Sequence, residues 1–184
     1  PKRGDVVVFR HPVHGTDYIK RLIGTPGDTV QMKDGRLMLN GKEVDFKEDG
    51  KFSEIMERQG SMRRQPRCAN APVGLGGLCE KERGVETLPS GKSYTVLNIT
   101  NQSSDNTGVY KVPVGHYFFI GDNRDNSTDS RRRQNFTNPS ASGVGFVKFE
   151  DIIGRADRIM FSSAGKSMLF FWTWRSDRFF REVI

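Results

Sequence analysis

Gly121-Asp-Asn-Arg-Asp-Asn-Ser-Thr-Asp-Ser-Arg131 follows directly on the apolar run Tyr117-Phe-Phe-Ile120. A short strand would deliver this polar segment into the fold with little slack. Its charges alternate in sign, and every carboxylate has a guanidinium or an amide within a few residues. The segment can therefore close a hydrogen-bonded, ion-paired network. Read from its residues alone, it fits either a structural turn or a functional site.

The chain around it alternates as strands do. Upstream, Val6-Val-Val-Phe9 is a short β-branched run, and Pro12 and Gly15 mark a turn before Asp17-Tyr-Ile-Lys-Arg-Leu-Ile23. In that second strand Tyr18, Lys20 and Leu22 share one face, and Ile19, Arg21 and Ile23 the other. Lys20 thus has apolar neighbours on its own face, and snorkelling at a sheet edge is the ordinary explanation. Val30-Gln-Met32, Arg36-Leu-Met-Leu39 and Lys42-Glu-Val44 are separated by Asp34-Gly35 and Asn40-Gly41, dipeptides suited to tight hairpin turns. A further alternating strand is expected at 93–99 and strand character at 146–149; the runs 108–112 and 115–120 lead into the polar segment, and 150–156 turns into 158–161. Between residues 45 and 91 periodicity fades while charge, Gly and Pro rise; a short helix is expected over 51–58, and the remainder reads as a long excursion.

The 184 residues suit one domain, or one large domain with an insertion. Twenty Gly and eight Pro are spread along the chain, which favours short strands over long helices, and the fold class is all-β. The expected division is a β-rich core at 1–44 and 92–161, an inserted loop or subdomain at 45–91, and an aromatic, basic tail at 162–184. A net charge of +7 permits nucleic acid or an anionic membrane as partner. The arginines are scattered and accompany no aromatic ladder or recognition helix, so nucleic acid is not expected. Cys68 and Cys79 form a lone pair in a Gly- and Pro-rich stretch. A disulfide closing a surface loop fits them best and implies an oxidising compartment; two free thiols in a reducing compartment are the alternative. His11, His14 and His116 are too few and too oddly placed for a metal cluster, so neither a metal nor a cofactor is expected. Both tryptophans, Trp172 and Trp174, stand in the tail with Phe170, Phe179, Phe180 and three arginines, a composition suited to burial or to an anionic bilayer surface.

The polar segment resembles the most diagnostic box of the bacterial type I signal peptidases, membrane-bound Ser-Lys proteases that remove secretory signal peptides. Gly4-Asp-Val-Val-Val-Phe9, and Tyr18-Ile-Lys-Arg21 followed by Gly24-Thr-Pro-Gly-Asp28, resemble two further boxes in the same order. The resemblance covers roughly residues 1–44 and 108–160 and departs from the family at 132–145, where many members have only a few residues. It implies that Lys20 is the general base, that Ser127 hydrogen-bonds it, and that Asp129 and Arg131 form a buried supporting pair. It also implies that Val8, Asp17, Tyr18 and Ile19 line a substrate groove whose small pockets take alanine-like side chains of a signal peptide (Ala-x-Ala). A lysine can serve as base only where a dry, apolar site lowers its pKa by several units.

The nucleophile of the family lies in a Ser-Met-x-Pro box well upstream of the lysine. This chain opens with Pro1-Lys-Arg-Gly4 leading straight into a strand, so that serine and a transmembrane anchor are expected upstream, and the chain alone is expected to be inactive. Gly60-Ser-Met62 is a poor replacement, since Ser61 follows Lys20 and Arg64 stands where the family has Pro. The implied setting is a bacterial inner membrane with the catalytic domain facing the periplasm. Two other readings remain: a related Ser-Lys peptidase of pilin-processing or self-cleaving repressor type, and a non-catalytic β-rich envelope or nucleic-acid-binding module.

Overall fold

The computed structural model describes residues 1–59, 63–160, 162 and 178–183. Strands dominate it: β1 (Val6–Arg10), β2 (Asp17–Gly24), β3 (Thr29–Lys33), β4 (Arg36–Leu39), β5 (Lys42–Glu43), β6 (Asp45–Ile55), β7 (Leu78–Thr87), β8 (Ser93–Asn98), β9 (Tyr110–Lys111), β10 (His116–Ile120), β11 (Val147–Lys148), β12 (Ile152–Arg155), β13 (Arg158–Ile159) and β14 (Arg181–Glu182). The helical elements among the described residues are single 3-10 turns, one of them Arg124–Asn126 inside the polar segment. No helix among them is long and apolar enough to cross a membrane.

A five-stranded antiparallel sheet runs β11-β10-β2-β1-β12, and beside it lies the four-stranded sheet β5-β4-β3-β9. Two apolar clusters are built from alternate residues of the same two strands. Ile23 of β2 with Phe118 and Ile120 of β10 joins Val30, Met32, Leu37 and Val96 in the larger cluster. Leu22 and Phe119 instead join Val7, Phe9, Val144 and Val147 in the other. Strands β2 and β10 are therefore covered on both faces at this end, which is why both read as continuous apolar runs. Phe119 is fully buried and its ring stacks on Phe9 at 4.5 Å; truncating it to alanine would cost about 3–5 kcal/mol. The meander β3–β4–β5 turns where the dipeptides require it: Asp34 (φ 49°) with Gly35 (φ 74°), and Asn40 (φ 53°) with Gly41 (φ 76°).

Within 45–91 the helix expected over 51–58 does not form. In place of a helix over 51–58, β6 runs unbroken to Ile55 and pairs with β7 in a long hairpin, which β8 completes as a three-stranded sheet. Apolar periodicity fails there for a physical reason. β6 is exposed at most positions, and the inward-facing positions of β7 include Lys81, Gly84 and Glu86. Cross-strand charges join the pair instead, with Lys51 on Glu80 at 2.9 Å, Arg83 on Asp49 at 3.0 Å and Lys81 on Glu54. Cys68 and Cys79 form a disulfide, in a small cluster with Met56 and Val73. Ser61, Phe170, Trp172 and Trp174 lie outside the described residues.

Candidate active site

Two central strands bring the site together. β2 carries Lys20, paired with Val7 of β1. β10 pairs with β2 on the other side, Ile120 opposite Arg21, and ends at Gly121, where the polar segment begins. A β-carbon on Gly121 would stand 2.1 Å from Ser127 Oγ, 2.5 Å from Ser127 Cβ and 3.5 Å from Lys20 Cδ. The missing side chain of Gly121 is thus the space in which Ser127 folds back beside the stem of Lys20. Both residues line one open cleft of about 290 Å³, together with Val6, Ile19, Asn123 and Asn126.

Burial drives the pKa of the Lys20 amine below its ordinary value, and the more distant charges of Asp129 and Asp122 only partly oppose this. The Lys20 amine lies 5.6 Å from the Tyr18 ring centre. Ser127 Oγ is buried and has no hydrogen-bond partner among the described residues. The expected hydrogen bond from Ser127 to Lys20 is therefore not formed here, although the two share the cleft. An unpartnered hydroxyl and a lysine whose pKa is lowered by burial thus line the same cleft.

The segment's own charges hold this geometry. Asp129 is fully buried. One of its oxygens accepts from Arg131 Nε at 2.9 Å and from the Arg131 amide at 3.1 Å. The other accepts from Arg131 Nη2 at 2.8 Å and from the Gly121 amide at 3.0 Å. Burial alone would raise the carboxyl pKa; the Arg131 guanidinium and the two amides outweigh it and keep the group below its usual range. The Asp129–Arg131 pair thus fixes the start of the segment, Gly121, against its end.

Of the residues expected in a substrate groove, Ile19 lines the cleft and is 53% exposed. Val8 is half-buried and lies across the ladder from Ile19 on one side and Gly154 on the other. Tyr18 is turned inward, its ring 6.3 Å from Phe9 and 4.7 Å from His11. Asp17 is exposed at the strand end, 3.8 Å from Arg10. Ile19, Val8 and Val6 share one face by register, opposite to that of Lys20 and Val7, and of these Val6 and Ile19 also line the cleft that holds Lys20.

Several residues that shape the site have partners that the sequence does not reveal. Arg21 is buried, holds Asp122 by two bonds of 2.9 and 2.8 Å, donates to the Gly4 carbonyl at 2.6 Å, and stacks 4.2 Å from the Tyr94 ring centre. Arg124 bonds Glu86 of β7 at 2.6 Å, and Tyr94 donates to the same carboxylate at 2.7 Å. Burial works against the Arg124 charge, but Glu86 outweighs it and the pKa rises. Asp125 accepts from the amides of Ile99 and Thr100 at 2.7 and 2.9 Å. Such long-range polar pairings leave no periodic trace in a sequence.

The all-β frame thus sets Lys20 and the unpartnered Ser127 hydroxyl in one cleft, backed by the buried Asp129–Arg131 pair. The family described as signal peptidase, peptidase S26 matches residues 1–161, and the chain belongs to that family. Among curated relatives, signal peptidase I of Rickettsia typhi is 38% identical over 171 residues, covering 89% of this chain and 53% of its own length. Signal peptidase I of Rickettsia bellii is 39% identical, covering 89% of this chain and 48% of its own length. The chain therefore spans about half the length of the curated relatives it matches. A solved signal peptidase I from Enterococcus faecalis aligns over 84% of this chain and 95% of that one, at 26% identity and a TM-score of 0.41.

Proposed function

We propose that this chain is the catalytic domain of a type I signal peptidase, which removes N-terminal signal peptides from secreted preproteins after small residues of the Ala-x-Ala pattern. Lys20 is the general base, acting on a nucleophilic serine carried on a segment upstream of Pro1. Ser127 orients the lysine, and Asp129 with Arg131 holds the segment that carries Ser127. The strip of Val6, Val8 and Ile19 receives the extended substrate, whose backbone can align with a strand while shallow pockets reject bulky side chains. The domain sits at a bacterial inner membrane facing the periplasm, anchored upstream and assisted by its aromatic, basic tail.

One observation supports this reading above the others: the stem of Lys20, whose amine has a lowered pKa, and the unpartnered hydroxyl of Ser127 both approach Gly121 in one open cleft. A turn alone has no need of either. The test is cleavage of a preprotein bearing Ala-x-Ala by the full-length protein and its Lys20→Met variant. Methionine keeps most of the stem volume and removes the amine, so kcat/KM should fall by about 10⁴-fold or more while circular dichroism is unchanged. Lys20→Arg should fail nearly as badly, since a guanidinium stays protonated. Near wild-type turnover by a folded Lys20→Met enzyme would end the reading.

A further inference from the structure

A second groove, of about 530 Å³, opens at the opposite end of β10 from Gly121. One wall is β9 with the residues flanking it; the other is formed by residues 130–134 and 145–146. β9 is the last strand of its sheet and pairs only with β3, leaving its other edge without a partner among the described residues. The Val112 amide donates to Asp28 O, on the β3 side. By the two-residue alternation of an antiparallel ladder, Tyr110 also faces β3, while Val109 and Lys111 turn their N–H and C=O groups toward the groove. Val109 is 62% exposed, so this edge is both apolar and unpaired.

The groove also has a distinct charge. Lys111, His116 and Arg133 line it, and no carboxylate does. Neither Lys111 nor Arg133 has an ion-pair partner among the described residues. Its walls are pre-formed: the Gln134 amide donates to the carbonyls of Val144 and Phe146, both at 2.8 Å. The Tyr110 and Phe146 rings pack on Phe118 at 4.9 and 5.9 Å, and the Tyr110 hydroxyl bonds Arg131 O at 2.8 Å. Arg133 and Gln134 begin the very loop that departs from the family pattern, and nothing in the Lys20 cleft uses them.

We propose that this groove docks an extended, acidic segment of a partner polypeptide, which adds as a strand to the free edge of β9 and sets its carboxylates against Lys111 and Arg133. Backbone pairing supplies the binding mode, alternate apolar side chains find Tyr110 and Phe146, and the unpaired cations select the sign of the partner. The site is separate from the Lys20 cleft, so its test needs no turnover.

The experiment is ¹H–¹⁵N shift mapping of the chain, titrated to millimolar with an acetylated eight-residue peptide alternating Glu and Val. Saturable shifts are expected at residues 108–116, 130–134 and 145–146. The Lys111→Glu/Arg133→Glu variant should bind about tenfold more weakly or less, because two exposed attractions become repulsions. A peptide N-methylated at every residue should lose binding, since it cannot donate to the β9 edge. This ligand-side comparison stands even if the variant folds poorly. An absence of saturable shifts overturns the proposal, as does equal binding by the corresponding Lys and Val peptide or by the N-methylated peptide. Inorganic phosphate that reproduces the same shifts, with the same dependence on Lys111 and Arg133, would reduce the groove to an anion site and overturn it as well.

Discussion

Gly121→Ala is the sharpest perturbation of the site, because its effect can be worked from the geometry. The backbone at Gly121 is not in the left-handed region, so alanine meets no conformational strain. Its methyl would, however, lie 2.1 Å from Ser127 Oγ and 2.5 Å from Ser127 Cβ. Relaxed carbon contacts are about 3.5–4.0 Å, so Ser127 must retreat by roughly 1 Å or more, or the end of β10 must shift. Overpacking of this kind costs about 1–3 kcal/mol, which for a chain of this length lowers Tm by about 3–10 °C. If Lys20 is the base, as proposed, a displacement near 1 Å beside it should lower kcat by about 100-fold with KM little changed. Thermal melts and preprotein cleavage by the full-length protein measure the two effects. Ser127→Gly in the Gly121→Ala background removes both overlapping atoms. It should restore most of the lost Tm while leaving activity low, because the hydroxyl is gone. Wild-type Tm and rate in Gly121→Ala, or failure of Ser127→Gly to restore stability, would refute the contact on which the site is built.

Three more outcomes follow from the same geometry. The folded pKa of Lys20 lies below its unfolded value, so in the window between them the unfolded chain binds the extra proton and stability rises with pH. Lys20→Met should therefore raise Tm at neutral pH, with the gain shrinking to nothing as pH approaches the unfolded lysine value; melts from pH 6 to 10.5 check this, and a constant gain would contradict it. Arg131→Met leaves the Asp129 carboxylate buried without its partner and should cost about 3–5 kcal/mol by urea titration, far more than the exposed pair Lys148–Glu150, at 60% and 74% exposure, can contribute. Reducing and alkylating Cys68–Cys79, which closes a span of 11 residues, should cost about 3 kcal/mol. Because the adjacent Arg67 donates to Asp125 O at 2.7 Å, reduction should also speed amide exchange at residues 125–127, and Arg67→Met should do the same without further effect in the reduced protein.

What the sequence disclosed and what it hid divide along physical lines. Strands that bury apolar side chains, such as β1, β2, β4 and β10, announce themselves by periodicity, and the hairpin turns at Asp34-Gly35 and Asn40-Gly41 by backbone preference. The hairpin of β6 and β7 did not. Its inward positions are occupied by Lys81, Gly84 and Glu86, residues whose burial makes sense only beside Glu54, Phe46 and Arg124. Lys20 was visible as a lysine on an apolar face, but Gly121 and Ser127, which share its cleft, lie about a hundred residues away. Resemblance supplied that link where periodicity could not.

The polar segment could be read as a turn or as a site, and its structure makes the two inseparable. Glu86 of β7 accepts from Arg124 Nη2 at 2.6 Å; the Arg124 carbonyl accepts from Arg131 Nη2 at 2.6 Å; Arg131 holds Asp129; and Asp129 accepts from the Gly121 amide at 3.0 Å. A carboxylate in the stretch that looked like an excursion is thus connected, through buried and mutually polarising bonds, to the glycine that seats Ser127 against Lys20. Asp125, by capping the Ile99 and Thr100 amides, fixes the same turn to the end of β8. The turn residues Arg124 and Asp125 point into the protein and are bonded there through Arg124 Nη2 and one Asp125 oxygen, while Arg124 Nε and the other Asp125 oxygen, like Ser127 Oγ, have no partner among the described residues. Ser127 alone among the segment's buried hydroxyl groups is left unpartnered, and it faces the cleft. A segment that served only to reverse the chain would gain by satisfying that hydroxyl. Leaving it free costs stability, by about 1–3 kcal/mol for a buried polar group, a cost that the proposed role of Ser127 in orienting the Lys20 amine accounts for.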